Sequence, residues 1–356
     1  MQTTVKLLSH RDPGAWASYF PDHRQTIGDV RFTFDPSERD YGWLVVYEDL
    51  PFPEGAKEID ALEQLACPPQ NTILVTAEPE SIKSYGYYYT RQFGHVLTSQ
   101  PAWSLPHPNR TQIGAMNYWF YGGSKHGALT GQEIRRGPAI EDKRDEISMM
   151  FSPKAMRHTQ HATRFAFMNR VAELMPELVL LGKGVKPIDD KREALNPFKY
   201  HITLENHISD HHVTEKLPDA LLGRCLTFYA GAPNAPEYFP SDSFVPINMN
   251  DPEGTVALIR QSMREKAWEK RLSAIEEARD RVLDTHNTIA AITRLISSQQ
   301  ASNKQPPQET TTLYGRHAWR HRHPWHGPLV LAEKIYVQLR ASPKQWRYQK
   351  NQGVKN

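Results

Sequence analysis

From residue 147 to about residue 262, short apolar runs alternate with helix-like segments. The predicted elements, in order, are strand 147–151, helix 161–174, strands 178–181 and 200–204, helix 214–222, strands 225–230 and 243–247, and a helix that begins at Asp251-Pro252-Glu253. Strands that alternate with helices form parallel sheets with right-handed crossovers. We therefore predict a Rossmann-like domain over residues 146–262.

The first 145 residues also contain strand-sized apolar runs, at 30–34, 42–47 and 72–76. They predict an α/β or α+β domain. A chain of 356 residues exceeds what one hydrophobic core usually organises, and a hydrophobic share of 39% can fill more than one core. We therefore expect an α/β fold in which a separate N-terminal domain covers residues 1–145.

The apolar pattern at 263–299 predicts one long amphipathic helix. On such a helix, the apolar residues between Trp268 and Ile296 would form a single stripe. We expect this stripe to pack across the preceding domains, with a self-associating coiled coil as the alternative. Ser, Gln and Pro are abundant directly after the helix, as is typical of a flexible linker. Residues 300–356 are therefore predicted to be a linker and a separate C-terminal tail.

The tail carries most of the chain's positive charge. Residues 313–356 hold nine Lys or Arg and one acid, a net charge of +8, whereas the whole chain carries only +3. Such segregation favours contact with an acidic surface, either anionic lipid or nucleic acid. Trp319, Trp325 and Trp346 suit a membrane interface and equally suit stacking on bases. A solvated extension without a partner is the third interpretation.

Two cysteines, Cys67 and Cys225, could form one disulfide at most, and nothing about them requires an oxidising compartment. The first residues have no secretory pattern, and no apolar run reaches the length of a membrane-spanning helix. We therefore expect a cytoplasmic protein that is soluble or peripheral to a membrane.

The densest polar segment is 204–216, which follows one predicted parallel strand and opens a helix. Ligands of doubly wound sheets bind at this carboxyl end, where helix N–H groups favour anions. Pro218 fits only near a helix start, so Glu215 and Lys216 should face the ligand. Arg164 begins the helix after the first strand of the same domain. Arg164 and Lys216 could flank one diphosphate, although Arg164 could equally be a solvent-facing charge.

Other chemistries leave weaker signals. His207, His211 and His212 could hold a metal, but their spacing matches no zinc signature. The sequence contains neither a Walker-type phosphate loop nor a Gly-x-Ser-x-Gly elbow. In the N-terminal half, Glu78 and Glu80 follow the strand at 72–76, and a carboxylate there could act as a general base. Surface acids at strand ends are common, so spacing alone leaves this role open.

Five segments of the second domain resemble one known family. They are KYHITLEN at 199–206, HVTEKL at 212–217, ALLGRCL at 220–226, YAGAP at 229–233 and FPSDSF at 239–244. Their order and content are similar to the donor domain of glycosyltransferase family 10, the α-1,3/4-fucosyltransferases. The similarity extends upstream through LGKG at 181–184 and PIDDK at 187–191, as in bacterial members.

The resemblance implies a GT-B fold, with two Rossmann-like domains facing each other across a cleft. It implies an inverting glycosyltransferase that moves fucose from GDP-fucose, held by the C-terminal domain, to an acceptor hydroxyl without an obligatory metal. The corresponding residues here have three implied roles. They are Arg164 and Lys216 for the diphosphate, Glu205, Asn206, His212 and Glu215 for other donor contacts, and Glu78 for the general base, with Glu80 as the alternative.

One residue departs from the family pattern. Family members have an aromatic hydroxyl where this chain has His212, so a transferase that uses another nucleotide sugar is the first alternative. A nucleic-acid-binding protein that uses the basic tail is an alternative of another class. A cytosolic enzyme of bacterial type would act on a surface glycan such as the O-antigen or core of lipopolysaccharide. We then expect peripheral contact with the anionic inner face of the cytoplasmic membrane and no binding of nucleic acid. The sequence leaves the oligomeric state undetermined.

Overall fold

The computed structural model describes residues 2–115, 119–151, 161–299 and 311–351, and it describes side chains there except at 161 and 342–351. The chain divides into two compact units. The first unit is Met1–Ala115 with Thr288–Pro343, and the second is Met116–Asn287 with Lys344–Asn356. The first unit thus takes up much of the C-terminal segment. The division differs from the predicted domain boundaries, since it assigns residues 119–145 to the second unit.

The N-terminal part of the first unit contains eight strands and one short helix among the described residues. They are β1 (Thr3–Leu8), β2 (Thr26–Ile27), β3 (Val30–Thr33), β4 (Trp43–Tyr47), β5 (Leu62–Gln64), β6 (Thr72–Val75), α1 (Tyr87–Thr90), β7 (His95–Thr98) and β8 (Arg110–Gln112). The predicted strands at 30–34, 42–47 and 72–76 correspond to β3, β4 and β6.

The main sheet of the first unit has the strand order β2-β3-β1-β4-β6-β7-β8. Only β2 is antiparallel to its neighbour, and the other pairs are parallel. Central strands consist of unbroken apolar runs, as in Leu44, Val45 and Val46, because a parallel sheet is covered on both faces. The chain crosses from one side of β1 to the other between β3 and β4.

The second unit contains the elements from residue 119 to residue 287. They are β9 (Gly123–Ser124), β10 (Gly127–Ala128), α2 (Gly131–Arg136), β11 (Arg144–Phe151), α3 (His161–Leu174), β12 (Val179–Gly182), α4 (Arg192–Leu195), β13 (Phe198–Leu204), α5 (Lys216–Leu222), β14 (Leu226–Ala230), β15 (Phe244–Pro246), α6 (Pro252–Arg264) and α7 (Ala267–Asp284). Its sheet is parallel throughout, in the order β12-β11-β13-β14-β15. The predicted alternation of strands and helices is confirmed here, and with it the α/β class with two Rossmann-like units.

The core of the second unit lies between this sheet and its helices. Ile147, Ile202 and Phe228 from three strands cluster with Val171 of α3 and Ile259 of α6, each at most 2% exposed. Asp251 caps α6 as predicted, because its carboxylate accepts the Gly254 N–H at 2.9 Å.

The structure does not contain the single long helix predicted for 263–299. Three helices occupy that region: α6 ends at Arg264, α7 ends at Asp284 and α8 covers Thr288–Gln299. The side-chain amide of Asn287 donates to the carbonyls of Val282 at 3.2 Å and Leu283 at 2.9 Å. These carbonyls would otherwise accept backbone N–H groups of the next helical turn. A side-chain donor in their place is consistent with the end of α7 here.

The C-terminal elements are α8, β16 (Thr312–Tyr314), α9 (Arg316–Arg322) and α10 (Gly327–Asn351), and they belong to the first unit up to Pro343. Strand β16 pairs antiparallel with β5, and Leu313 is 1% exposed within the core of the unit. The tail is therefore partly integrated rather than separate. The predicted linker at 300–310 lies outside the described residues. Short 3₁₀ segments occur at Pro13–Tyr19, Glu58–Asp60, Pro69–Asn71, Ala235–Glu237, Ser241–Ser243 and Pro324–His326.

Both cysteines are buried, and neither forms a disulfide. Within the described part of the chain, no helix combines the length and the apolarity needed to cross a bilayer.

Candidate functional site

A cavity of about 140 Å³ opens in the second unit beside the carboxyl ends of β11 and β13. These strands are neighbours from which the chain proceeds to opposite sides of the sheet. Open α/β sheets bind ligands at such a switch point. The lining residues are Met150, Phe151, Arg164, Lys191, Leu195, His201, Ile202, Thr203, Leu204, Glu215, Lys216 and Asp219. Three of them are cationic, and three of the predicted site residues are among them.

Arg164 lies in the first turns of α3 and is only 7% exposed. Its Nε atom has no hydrogen-bond partner among the described residues. Burial lowers the pKa of the guanidinium, whereas the carboxylates of Glu205 and Glu215 act in the opposite direction. A buried, charged N–H donor without an acceptor lowers the stability of the folded protein. An anionic ligand in the cavity would supply the acceptor that Nε lacks. The solvent-facing interpretation of Arg164 is wrong.

Lys216 opens α5 and lies among oxygen atoms of its own unit. Its Nζ is 2.9 Å from Oγ1 of Thr214, 2.9 Å from Glu215 Oε1 and 3.3 Å from Glu205 Oε2. Glu205 is fully buried and also accepts the N–H of Thr214 at 3.0 Å and its hydroxyl at 2.6 Å. Glu205 thus holds both Lys216 and the turn before it, rather than lining the cavity itself.

The electrostatics of this cluster keep its groups charged. Burial by itself would raise the pKa of Glu215, but Lys216 and Lys191 outweigh it and bring that pKa to about 2. Burial by itself would lower the pKa of Lys216, but Glu205 and Glu215 outweigh it and raise the pKa above its ordinary value. Lys216 and Glu215 therefore both stay charged, and the cavity lining combines three cations with two acidic side chains, Glu215 and Asp219.

Lys191 is a third cation that the site predictions did not include. It forms an ion pair with Oδ2 of Asp219 and lies 4.7 Å from the centre of the Phe120 ring. Oδ1 of Asp219 accepts the backbone N–H groups of Phe120 and Tyr121, each at 2.8 Å. Burial raises the pKa of Asp219, although Lys191 acts against that shift. This carboxylate therefore holds Lys191 and the segment after residue 119 in fixed positions at the cavity.

His201 also lines the cavity without having been predicted as a site residue. Its Nδ1 is 2.8 Å from Oγ of Ser148, and that hydroxyl donates to the carbonyl of Ala194 at 2.6 Å. Because the single hydroxyl hydrogen is used there, Nδ1–H of His201 must be the donor to Ser148, which leaves Nε2 as an acceptor. Burial, reinforced by Lys191 and Lys143, lowers the pKa of His201 to about 3.

Asn206 and His212 do not line this cavity, although both follow β13. Oδ1 of Asn206 and Nδ1 of His212 are buried, and neither has a partner among the described residues. The rings of His207 and His212 meet edge to face, with centres 4.9 Å apart. Burial, with help from His207 and Lys216, holds the pKa of His212 well below its ordinary value. Both side chains are neutral groups able to bond a polar ligand.

The histidines of this segment are not arranged as a metal centre. His211 has a left-handed backbone, with φ of 64°, and its Nδ1 is bonded to the Tyr238 hydroxyl at 2.7 Å. Within the described residues, no group of three or more His, Cys, Asp or Glu side chains is placed to hold a metal ion.

Glu78 and Glu80 lie in the first unit, just after β6. Glu78 is exposed, whereas Glu80 is 6% exposed. The Glu78 N–H donates to the Tyr85 hydroxyl at 3.4 Å, and its carbonyl accepts from Nε2 of Gln100 at 2.9 Å. A general base must reach the proton that it removes, so exposure favours Glu78 over Glu80 for that role.

Glu48 is a carboxylate that sequence reasoning missed. It follows β4 with a left-handed backbone, φ 70°, an uncommon conformation for a residue other than glycine. Its carboxylate accepts from the Ala77 N–H and the Tyr85 hydroxyl, and it is 2.6 Å from Nζ of Lys83. Glu48 therefore fixes both ends of the segment that carries Glu78.

Glu48 also borders a cavity of about 220 Å³ at the switch point of the first unit's sheet. His10 follows β1 and Glu48 follows β4, the two strands between which the chain changes direction. The lining includes Asp49, Glu58, Lys83, Arg316 and His317. This polar, mixed-charge cavity suits a hydroxyl-rich ligand better than a strongly anionic one.

Comparison with known proteins gives similarity in structure only. No family model matches the sequence, and no curated protein matches it. An α1,3-fucosyltransferase structure with GDP-fucose has 14% identity, covers 85% of this chain and 91% of its own, and has a TM-score of 0.47. HepE of Anabaena with UDP-glucose has 8% identity, 85% and 100% coverage and a TM-score of 0.48. A glycosyltransferase from Rickettsia africae has 11% identity, 85% and 99% coverage and a TM-score of 0.42. Similarities at this level carry no functional conclusion.

Proposed function

We propose that this protein is an inverting glycosyltransferase that moves fucose from GDP-fucose to a hydroxyl group of a glycan. One observation supports the donor site above all. The buried guanidinium of Arg164 has an Nε without a partner among the residues that the structure describes, in a cavity that Lys191 and Lys216 also line, at the switch point of a parallel sheet. Lys191 and Lys216 are paired with lining carboxylates, whereas Arg164 forms no ion pair within the described residues, so its charge is the one most available to a nucleoside diphosphate. The choice of GDP and fucose rests on the sequence resemblance.

The protein's own side chains supply the chemistry in this proposal. The acceptor oxygen attacks the anomeric carbon as the bond from that carbon to the diphosphate breaks, and the acceptor proton passes to the carboxylate of Glu78. The negative charge that develops on the departing GDP is stabilised by Arg164, Lys191 and Lys216, so no metal is required for this step. A single displacement inverts the anomeric configuration.

Other polar groups would fix the donor's orientation. Asn206 and His212 would contact the nucleotide or the sugar, and Nε2 of His201 would accept a hydrogen bond from a ligand hydroxyl. Glu215 keeps its negative charge beside Lys216 and would accept from ribose or sugar hydroxyls. Glu205 would act through Lys216 and Thr214, which it holds.

The acceptor and the location follow from the same proposal. A glycan of the cell surface, such as lipopolysaccharide O-antigen or core, is the proposed acceptor. The polar cavity beside Glu48, in the same unit as Glu78, is its proposed binding region. The basic C-terminal segment would bring the enzyme to the cytoplasmic face of an anionic membrane, beside a lipid-linked acceptor.

The alternative within the same class is a transferase that uses another nucleotide sugar, and His212 is the observation that favours it. Calorimetry of the full-length protein with GDP, GDP-fucose, GDP-mannose and UDP-glucose separates the two. Tighter binding of GDP-fucose, followed by an acceptor product with inverted anomeric configuration by NMR, supports the proposal. Preference for a UDP-sugar supports the alternative, and failure to bind any of the four overturns both.

A further inference from the structure

A second cationic cavity lies in the first unit, between the segment after β6 and the C-terminal helices. Its volume is about 320 Å³. The lining residues are Ile82, Lys83, Ser84, Arg316, Arg320, Gly327, Val330, Leu331 and Lys334. Four of these are cationic and none is acidic, so the cavity carries an excess of positive charge that the proposed transfer reaction does not use.

Two arginines of α9 keep unused donors at this cavity. Arg316 donates through Nη2 to the Ser84 carbonyl at 3.0 Å, but its Nε is buried and has no partner among the described residues. The side chain of Arg320 is half-buried, and its guanidinium forms no hydrogen bond or ion pair within the described part of the chain. Burial, reinforced by Arg316, lowers the pKa of Arg320, whereas the nearby carboxylates of Asp49 and Glu333 act in the opposite direction. Adjacent guanidinium groups with unused N–H donors are suited to the several oxygen atoms of a phosphate.

An exposed apolar stripe continues from the cavity along α10. Leu331, Ile335 and Leu339 follow one another at intervals of four residues and are 58%, 48% and 71% exposed. Val337 and Ala341 of the same helix are 1% and 2% exposed, so they form the face that packs on the unit. Residues two apart on a helix point about 200° from each other, so Ile335 and Leu339 face away from the side of α10 that packs on the first unit.

We propose that this cavity binds the phosphate group of an anionic membrane amphiphile, while the apolar stripe of α10 lies against the surrounding acyl chains. A free phosphate ion would account for the cations but not for an exposed stripe that shares Leu331 with the cavity. Exposed apolar side chains next to cationic groups are typical of helices that lie in a bilayer interface. The inference gives the proposed membrane contact a specific site, and it stands apart from donor binding and glycosyl transfer.

The test compares two double variants of the full-length protein that lose the same charge. R320Q/K334Q removes two cations that line this cavity and not the polar cavity beside Glu48, whereas Lys83 and Arg316 line both cavities and are kept. R322Q/R340Q removes two cations outside the cavity, where Arg322 lies 4.9 Å from the ring of Tyr314 and Arg340 5.0 Å from that of Trp103. Non-specific electrostatic affinity for an anionic surface should fall equally in the two double variants, by about fivefold for each cation lost.

Binding is measured by sedimentation with phosphatidylcholine vesicles that contain either phosphatidic acid or oleate, adjusted to equal surface potential. Wild-type protein should prefer the phosphate-bearing vesicles by at least about fivefold, since charge-assisted bonds to phosphate add to the general attraction. R320Q/K334Q should lose that preference, and R322Q/R340Q should keep it. I335S/L339S should weaken binding to both kinds of vesicle. Circular dichroism must show that every variant remains folded.

Several outcomes overturn the proposal. Equal behaviour of the two charge variants would leave only general electrostatics. Stabilisation by inorganic phosphate without vesicle binding would identify a free anion as the ligand. Tighter binding to single-stranded RNA that I335S/L339S does not weaken would favour nucleic acid, and self-association through the stripe in ultracentrifugation would identify a second copy as the occupant. Transfer to a soluble acceptor is measured separately, and R320Q/K334Q should leave it unchanged, so the vesicle result does not depend on the proposed reaction.

Discussion

The fully buried carboxylate of Glu205 lies 3.3 Å from the ammonium group of Lys216. The same carboxylate accepts two hydrogen bonds from Thr214, which precedes helix α5. A cation in the lining of the cavity is thus held by an anion that has no exposed surface and does not line the cavity. The arrangement makes Glu205 a positioning residue for Lys216.

Glu205→Gln should therefore weaken GDP binding by about 1–2 kcal/mol, because Lys216 loses part of its orientation while its own donors remain. The variant should also lose about 1–3 kcal/mol of folding stability, since Thr214 and Lys216 lose an ionised partner. Calorimetry with GDP and urea unfolding measure the two effects. Full GDP affinity in a folded variant would show that Glu205 is a structural group alone.

Arg164→Ala and Lys216→Ala should each weaken GDP binding by about 1.5–3 kcal/mol, because each removes charge-assisted hydrogen bonds to phosphate. Arg170→Ala is the matched control, since Arg170 lies on the same helix and its partners are the surface carboxylates Glu173 and Glu253. Calorimetry should show no loss of GDP affinity for the control.

Arg164→Ala should act in opposite directions on stability and on binding. Removing a buried cation with an unpartnered donor should leave the unfolding temperature unchanged or raise it. A large drop in that temperature, measured by calorimetry without ligand, would mean that Arg164 stabilises the fold and would count against its role in binding.

Glu78→Gln should reduce transfer by about 100-fold or more while donor affinity stays near that of the wild type, because the change keeps the shape of the side chain and removes the base. Glu80→Gln is the control and should reduce transfer much less. Single-turnover kinetics with saturating donor measure the step. If the Glu80 variant is inactive and the Glu78 variant turns over normally, the base lies two residues further along the chain.

Stability should depend on the protonation of His201. Burial lowers the native pKa of His201 from an ordinary 6.5 to about 3, so below pH 6.5 the unfolded chain binds a proton that the native protein does not. The free energy of unfolding should then fall by about 1.4 kcal/mol per pH unit for this residue as the pH drops below 6.5. His201→Asn keeps a donor toward Ser148 and should flatten the curve between pH 6.5 and 4.5, measured by urea unfolding. An unchanged slope would mean that His201 is not buried in its neutral form.

Leu313 belongs to the C-terminal segment but lies in the core of the first unit. Leu313→Ala should cost about 2–5 kcal/mol of stability, because it leaves a cavity among well-packed side chains. Leu339→Ala, at a site that is 71% exposed, should change stability by less than about 0.5 kcal/mol. Urea unfolding distinguishes the two. Removal of all residues after 297 should unfold the first unit rather than release a membrane anchor alone.

The sequence alone determined most of the second unit's elements. Helix α3 occupies the predicted residues 161–174, and β13 and β14 lie within two residues of their predicted starts. Apolar periodicity is a local property, so it predicts such elements wherever the surrounding sheet follows the same pattern. The position of Arg164 and Lys216 at one sheet edge follows from the same reasoning, since the carboxyl ends of parallel strands share an edge.

Only the tertiary structure decided which polar groups lose contact with water and which partners they then bind. Asp219 holds Lys191 and also bonds the backbone at Phe120, 99 residues earlier in the chain. The tautomer of His201 depends on a hydroxyl from another strand. Likewise, β16 completes a strand pair with β5, about 250 residues away. These relationships arise from packing between distant segments, and burial makes each bond energetically important, whereas sequence periodicity carries information only about neighbouring residues.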